Sequence, residues 1–211
     1  MQITWYGNSC FLIKTTIGKR IILEPFNIIT EYNSNLPKCD LIVTSRNYNN
    51  LSLSRQHDLT QLINETGTFD IFNLKIEGIN SFQDNYNGLK RGPNIIYIIK
   101  DNEYSLCHLG NLGHIPSSLV LDKIKNIDIL FVPIGGNFTL DGFNAAKLCT
   151  LIHPKYIIPM NYKTNNTSLF LDDPKNFIIS MNHIKKINSN IINTSDFNLN
   201  YESECLLLSS P

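Results

Sequence analysis

This chain of 211 residues lacks a net charge, because its 18 Lys and Arg residues are balanced by 18 Asp and Glu residues. A chain without net charge has no general electrostatic attraction to nucleic acid or to an anionic membrane surface. We therefore expect neither nucleic acid nor a membrane among its partners.

Long apolar runs are absent too. No stretch of the sequence approaches the roughly 18 apolar residues that a membrane-spanning helix requires. Residues 1–6, which read MQITWY, lack the basic region and the following apolar run of a secretory leader. From these absences we expect a cytoplasmic protein.

Cysteine motifs for metal or redox chemistry are also missing, since no Cys-x-x-Cys pair occurs. The five cysteines are odd in number and widely spaced: Cys10, Cys39, Cys107, Cys149 and Cys205. Cys10, Cys107 and Cys205 lie in apolar, strand-like segments, where a reduced cysteine behaves as a small hydrophobic residue. We predict that all five are structural.

The composition that is present, 42% hydrophobic with 10% aromatic residues, is typical of a packed domain. Strand patterns dominate the first half of the chain, and helix and strand patterns alternate after residue 117. One amphipathic stretch predicts a helix over residues 54–64. With no linker or repeat to divide the chain, we predict a single α/β domain over residues 1–211, built from two mixed β-sheets covered by helices.

Six segments at the ends of predicted strands form a recognisable set. Residues 3–11 read ITWYGNSCF, residues 22–26 ILEPF, residues 81–84 SFQD, residues 108–114 HLGNLGH, residues 132–136 VPIGG and residues 158–164 IPMNYKT. Together they resemble the compact branch of the metallo-β-lactamase superfamily that includes ascorbate-6-phosphate-lactonase-like hydrolases. The resemblance implies a four-layer αβ/βα sandwich and a metal centre of zinc, manganese or iron.

The residues at the implied metal-ligand positions differ from those of the superfamily. The resemblance places the seven ligands at Ser45, Asn47, Asn49, Asn50, Gln83, Asn111 and Asn161. None is His, Asp, Glu or Cys, the residue types that hold zinc in proteins. Neutral carboxamides would instead hydrogen-bond one another. We therefore predict a degenerate metal site without a metal cofactor.

Charged residues and two histidines surround these positions in the resemblance. If the pocket persists without anionic ligands, Arg46, Arg91 and Lys163 would make it positive and suited to a small anion. The alternative is that these cations are solvated or pair with Asp84 and Glu24. For supporting roles that cap or orient the loops, the candidates are Glu24, Asp84, His108 and His114.

Two classes of function follow. The first is a catalytically inactive member of the superfamily that binds a small anion, or that assembles with itself or with an active relative as a homo-oligomer or hetero-oligomer. The second is a metal-dependent hydrolase of the lactonase or phosphodiesterase type with an atypical or mononuclear metal site. Because the usual source of an activated water is missing, the sequence favours the first.

Overall fold

The computed structural model describes residues 1–25, 37–46, 60–165, 170–198 and 202–211. The first of two sheets contains six strands: β1 Gln2–Trp5, β2 Phe11–Lys14, β3 Arg20–Leu23, β4 Leu41–Val43, β5 Gln61–Ile63 and β13 Ile191–Asn193. Their order in the sheet is β13-β1-β2-β3-β4-β5. Strands β1 to β3 are antiparallel, whereas β3, β4 and β5 are parallel.

The second sheet contains eight strands. These are β6 Gly67–Ile71, β7 Leu74–Phe82, β8 Pro93–Lys100, β9 Ser105–His108, β10 Ile129–Pro133, β11 Tyr156–Met160, β12 Ile184–Ile187 and β14 Glu204–Leu208, in the order β12-β14-β11-β10-β9-β8-β7-β6. Strands β6 to β9 are antiparallel, and β9, β10, β11, β14 and β12 are parallel.

The described ranges contain three α-helices: α1 Ser118–Ile124, α2 Gly142–Ile152 and α3 Lys175–Ser180. The sequence prediction of two mixed sheets with helices is confirmed. The longest helix in the described ranges, α2, has 11 residues, so no helix there is long enough to cross a bilayer.

The helix predicted over residues 54–64 is not formed at its C-terminal end. Gln61–Ile63 is strand β5, which pairs in parallel with β4. Ile63 is buried in the core. Residues 54–59 of the prediction lie outside the described residues. Pairing with a strand some 20 positions earlier outweighed the local amphipathic pattern, as tertiary context commonly does.

Aromatic side chains join the two sheets. The rings of Phe11 on β2 and Phe131 on β10 lie 4.6 Å apart between centroids, and Trp5 on β1 lies 5.5 Å from Tyr162. All four side chains are buried. Aromatic pairs at these separations add to the free energy of burial, so the relative position of the sheets is specified here.

The cysteines are free in the structure. Four are buried, and Cys39 is partly buried. Burial raises the pKa of the Cys205 thiol to about 12, with the Glu204 charge contributing. Thiols in such surroundings stay protonated and inert, which agrees with the structural role predicted for them.

The sheet topology places several loops at one edge. Strand β8 is antiparallel to both β7 and β9, so β7 runs in the same direction as β9, β10 and β11. The carboxyl ends of these strands therefore meet at the same edge of the sheet. Strand β4 ends beside them, because the Ile95 N–H donates to the Ser45 carbonyl at 2.8 Å. Ligand sites of α/β proteins commonly lie at such an edge.

Helix α2, which follows β10, begins at a defined N-cap. The Asp141 carboxylate accepts hydrogen bonds from the Asn144 N–H at 2.8 Å and from Asn144 Nδ2 at 2.9 Å. We expect Asp141→Ala to lower the free energy of unfolding by about 1 kcal/mol, because an N–H of the first turn loses its acceptor. Chemical denaturation of the variant measures this.

Asp122→Ala is the matched control. Asp122 lies within α1 and forms an exposed ion pair with Lys125, at 2.9 Å. Exposed pairs of this kind contribute about 0–1 kcal/mol, and alanine favours the helix. Equal destabilisation by the two variants would contradict the role of Asp141 as a cap.

Candidate functional site

Four of the seven positions that the sequence singles out as ligands are described, and all four lie near the shared edge of the strands. Ser45 comes after β4, Gln83 directly after β7, Asn111 after β9 and Asn161 directly after β11. Asn47, Asn49 and Asn50 lie outside the described residues. The strand ends therefore gather Ser45, Gln83, Asn111 and Asn161 into one candidate site.

Asn161 and Asn111 are in direct contact. Asn161 Nδ2 donates to Asn111 Oδ1 at 3.4 Å, although 50 positions separate the two residues in the chain. Asn161 has a φ of 53°, a left-handed conformation that asparagine tolerates well. Its N–H donates to the Asn8 carbonyl at 3.1 Å. The backbone thus holds the Asn161 amide toward Asn111.

Gln83 is buried and turned toward β8. Its Nε2 donates to the Pro93 carbonyl at 2.9 Å. A Cβ atom at Gly113 would lie 2.0 Å from the backbone carbonyl oxygen of Gln83, so only glycine permits the close packing of these two loops. Since the amide nitrogen is used by the scaffold, the acceptor oxygen Oε1 is the group that Gln83 can offer to a ligand.

Ser45 carries a buried hydroxyl that no described group satisfies. Its side chain is 1% exposed, and Oγ has no hydrogen-bond partner among the described residues. The Ser45 N–H donates to the carboxylate of buried Glu24, and Gly110 packs so closely that a Cβ there would lie 3.0 Å from Ser45 Oγ. Unsatisfied buried hydroxyls are rare, and this one is a group that a bound ligand can use.

Glu24 has a left-handed φ of 49°, unusual for a residue other than glycine. Such conformations cost about 1–3 kcal/mol and concentrate at functional sites. The Glu24 carboxylate accepts a hydrogen bond from the Ser45 N–H, a contact of the kind that the predicted supporting role requires.

Asn94, on β8, organises the loop that carries Asn111. Its Oδ1 accepts from the Asn111 N–H at 2.8 Å, and its Nδ2 donates to Ser81 Oγ at 2.7 Å and to the Leu109 carbonyl at 3.0 Å. The sequence reading did not select Asn94 as a site residue. The signal that could have identified it is a single amide at the start of the apolar strand 94–100.

His108 is a buried, neutral positioning residue. Its Nε2 lies 3.0 Å from the Ser9 carbonyl, and the Gly110 N–H donates to Nδ1 at 3.1 Å. These contacts place the proton on Nε2. Burial lowers the pKa of His108 to about 4, although the Ser9 carbonyl acts in the opposite direction. Both ring nitrogens are used by the backbone.

His114 and Asp84 hold neighbouring segments. The Phe82 N–H donates to His114 Nε2 at 3.3 Å, and His114 Nδ1 lies 3.0 Å from the Ile115 carbonyl. Burial raises the pKa of the Asp84 carboxyl, but hydrogen bonds from four backbone N–H groups outweigh this and lower it below its ordinary value. The donors are Tyr86, Gly88, Lys90 and Arg91, at 2.7–3.1 Å.

The three cations predicted to bind an anion differ in their surroundings. Arg46 is partly buried, whereas Arg91 and Lys163 are exposed. Arg91 lies over the Phe138 ring, with 5.1 Å from Cζ to the ring centroid, and it lines a cavity of about 270 Å³ together with Gln83. In the described residues no salt bridge links Arg91 to Asp84. The joint anion-binding role of the three remains a prediction.

The described donors do not fit a pair of zinc ions. They comprise one hydroxyl and three carboxamides, and the described residues contain no group of three or more His, Cys, Asp and Glu side chains that could hold a metal. Zinc requires imidazole, thiolate or carboxylate ligands. Neutral oxygen atoms are, however, ordinary ligands of harder cations such as Ca²⁺ and Mg²⁺.

Comparison with known proteins adds to this geometry. The sequence model of the family described as "Beta-lactamase superfamily domain" matches residues 2–161. A UPF0173 metal-dependent hydrolase of Thermoplasma acidophilum is 26% identical over 205 residues, covering 84% of this chain and 89% of the relative. A second UPF0173 metal-dependent hydrolase, from Anoxybacillus flavithermus, is 23% identical and covers 89% of this chain and 96% of its own length.

A solved structure shows the same similarity. The crystal structure of a Zn-dependent hydrolase of the metallo-β-lactamase superfamily from Thermotoga maritima has a TM-score of 0.78 and 26% identity, and it covers 100% of this chain and 99% of its own. The four-layer αβ/βα sandwich implied by the sequence motifs is thereby confirmed.

These relatives overturn what the ligand positions suggested about activity. The prediction of a catalytically inactive protein is wrong, because the relatives are named metal-dependent hydrolases. The predictions of a degenerate metal site and of no metal cofactor are wrong on the same finding. The physical error was to treat the loss of zinc ligands as the loss of every metal, although hydroxyl and carboxamide oxygens bind hard cations.

The pKa of His108 predicts a pH-dependent stability. Because the folded state lowers this pKa from 6.5 to about 4, the unfolded chain binds more protons between these pH values. We expect the free energy of unfolding to fall by up to about 1.4 kcal/mol per pH unit as pH drops through this window. His108→Gln should reduce that slope in denaturation curves recorded from pH 7 to pH 4.

His153→Asn is the control for this measurement. His153 is an exposed imidazole at the C-terminal end of α2, in a left-handed conformation that asparagine accepts. The His153→Asn variant should show the same dependence of unfolding free energy on pH as the parent protein. An unchanged slope in His108→Gln would show that the buried imidazole does not cause the pH dependence.

Two serine variants test the unsatisfied hydroxyl. Ser45→Ala should change the free energy of unfolding by no more than about 0.5 kcal/mol, because Oγ has no hydrogen-bond partner among the described residues. Ser81→Ala, the matched buried control, should lower it by about 1–3 kcal/mol, since Ser81 Oγ donates to the Asn94 carbonyl and accepts from Asn94 Nδ2. Thermal and urea unfolding measure both, and a large loss in Ser45→Ala would contradict the assignment.

Proposed function

We propose a hydrolytic function for this protein on the premise that the chain belongs to the β-lactamase superfamily, to which the family match over residues 2–161 assigns it. The proposed activity is that of a metal-dependent hydrolase of the lactonase or phosphodiesterase type with an atypical metal site. The names of its relatives, which include UPF0173 metal-dependent hydrolases, support this class.

The buried hydroxyl of Ser45 is the observation that supports a location for the proposed active site. A scaffold that had only to fold would gain by removing an unsatisfied polar atom from its interior. Here the hydroxyl lies at the strand edge, where Gly110 and Glu24 enclose the residue. A ligand that binds at this edge would supply the missing hydrogen-bond partner.

The protein's own groups would bind and orient the substrate. Ser45 Oγ would donate a hydrogen bond to the substrate, and Gln83 Oε1 would accept one. The paired amides of Asn111 and Asn161 would provide further polar contacts. The residues beneath them are held by Asn94 and His108, so these contacts are preorganised. Because the described donors do not fit zinc, no chemical step is assigned to that ion.

The proposal includes a location and a ligand. We propose that the protein acts in the cytoplasm and that it binds a small anion. The exposed Arg91 beside the site is the main support for the anion. Self-assembly, or assembly with an active relative, remains a prediction that light scattering of the purified protein tests.

The deciding experiment combines metal loading with hydrolysis. The protein is treated with a chelator, reloaded separately with Mn²⁺, Mg²⁺, Ca²⁺ or Zn²⁺, and assayed on bis(4-nitrophenyl) phosphate, 4-nitrophenyl phosphate and a simple lactone. We expect chelation to abolish turnover of at least one substrate and one of the ions to restore it. Absence of turnover with every ion, together with no metal in elemental analysis of the folded protein, would refute the proposal.

Ser45→Ala tests the placement of the site. We expect kcat/KM to fall about tenfold or more, as loss of a hydrogen bond to a charged group costs about 1.5–3 kcal/mol. Ser180→Ala is the control, since Ser180 is exposed on α3 and its Oγ donates to the Asn176 carbonyl. If both variants keep the parent activity, the catalytic site lies elsewhere.

A further inference from the structure

A cavity opens beside the candidate site, between residues 83–91 and the segment that starts α2. It has a volume of about 270 Å³, and Gln83, Lys90, Arg91 and Thr139 line it. An adjoining cavity of about 390 Å³ shares five of its lining residues, among them Asn85 and Asn144. Ligand pockets begin at roughly 300 Å³, so this space suits a small molecule. Gln83 belongs both to this lining and to the candidate site.

One wall of the cavity is preorganised. The Asp84 carboxylate accepts the backbone N–H groups of Tyr86, Gly88, Lys90 and Arg91. The Gly92 N–H donates to the Gly88 carbonyl at 2.8 Å and closes the loop. A loop held at so many points loses little conformational entropy when a ligand binds.

Both cations of this wall pair with an aromatic ring: the Tyr86 ring lines the cavity, and Phe138 is the residue before Thr139, another lining residue. Lys90 Nζ lies 3.7 Å from the centroid of the Tyr86 ring, and Arg91 Cζ lies 5.1 Å from that of Phe138. Tyr86 and Phe138 are 49% and 48% exposed. About half of each side chain is therefore available to a ligand, while the ring holds its cation by a cation–π interaction.

The charges of the lining favour an anion. Asp84 is surrounded by four N–H donors, and Asp141 caps the N-terminus of α2, where the helix dipole is positive. Both negative charges are thus compensated locally. Lys90 and Arg91 form no salt bridge in the described ranges, so their N–H groups can bind oxygen atoms of a ligand.

We infer that this cavity is the substrate-recognition site for a phosphate ester of a planar ring. Lys90 and Arg91 would bind the phosphate oxygens, and the exposed face of Tyr86, which lines the cavity, would contact the ring. Two adjacent cations match a dianionic group better than a single carboxylate. The inference rests on the proposed function, because it names the class of substrate that Gln83 and its neighbours would receive.

Binding of phenyl phosphate to the chelated protein, measured by titration calorimetry, provides the test. We expect saturable binding of phenyl phosphate and three- to tenfold weaker binding of cyclohexyl phosphate, because a ring–ring contact is lost. Benzoate tests the monoanion and should bind more weakly than phenyl phosphate. Benzyl alcohol, which lacks the charge, should not saturate.

Variants assign the binding to this cavity. Arg91→Gln should raise the Kd for phenyl phosphate about tenfold, and Lys147→Gln, which changes an exposed lysine of α2 outside the lining, should leave it unchanged. Tyr86→Leu should weaken the binding of phenyl phosphate but not that of cyclohexyl phosphate, because Tyr86 is the ring that lines the cavity. Its control is Phe143→Leu, an exposed phenylalanine outside the lining. Thermal unfolding verifies that each variant is folded.

The outcomes separate this inference from the proposed function. If phenyl phosphate does not bind, or if Arg91→Gln and Lys147→Gln bind it equally, the inference is wrong even when the protein hydrolyses another substrate. If the expected binding pattern holds but no ion supports hydrolysis of any substrate, the recognition site stands and the hydrolytic proposal fails.

Discussion

The hydrogen bonds of the Asn94 side chain are the interaction on which the candidate site depends. Asn94 is fully buried, and its amide ties together the end of β7 through Ser81, and the loop after β9 through Leu109 and Asn111. A Cβ at Gly110 would lie 2.5 Å from Asn94 Oδ1, so the same atom requires glycine there. The loop is consequently close enough for Gly110 to meet Ser45 and for Asn111 to meet Asn161.

The residues that support the site and the atoms that would bind a metal lead to different conclusions about activity. Asn94, His108 and Asp84 have their hydrogen-bonding groups engaged by the backbone, as in a site whose geometry matters. The described donors, by contrast, are neutral and do not fit zinc. The relatives named as metal-dependent hydrolases correct the inference that such a site is inactive. Residue types alone therefore exclude a particular ion more securely than they exclude an activity.

The accuracy of the sequence-based predictions varies with the range of the forces that form each element. The strands Arg20–Leu23 and Tyr156–Met160 are defined locally in the sequence, by a turn signal or by a short apolar run with polar flanks. Gln61–Ile63 was assigned to a helix and is a strand, because its partner β4 is distant in sequence. The edge strand Ile191–Asn193 likewise depends on a distant partner, since it pairs with β1 at the other end of the chain.

The sequence by itself determined the fold class, the loops that form the site and the residue types at the four described ligand positions, because hydrophobic periodicity and short motifs are local properties. Only the tertiary structure decided which polar atoms have partners. The Asn161–Asn111 contact spans 50 positions, and the cavity between Arg91 and Thr139 joins loops from two different strands. Hydrogen bonding and burial depend on distances through space, so the unsatisfied hydroxyl of Ser45 and the half-exposed rings of Tyr86 and Phe138 emerge only after the sheets have packed.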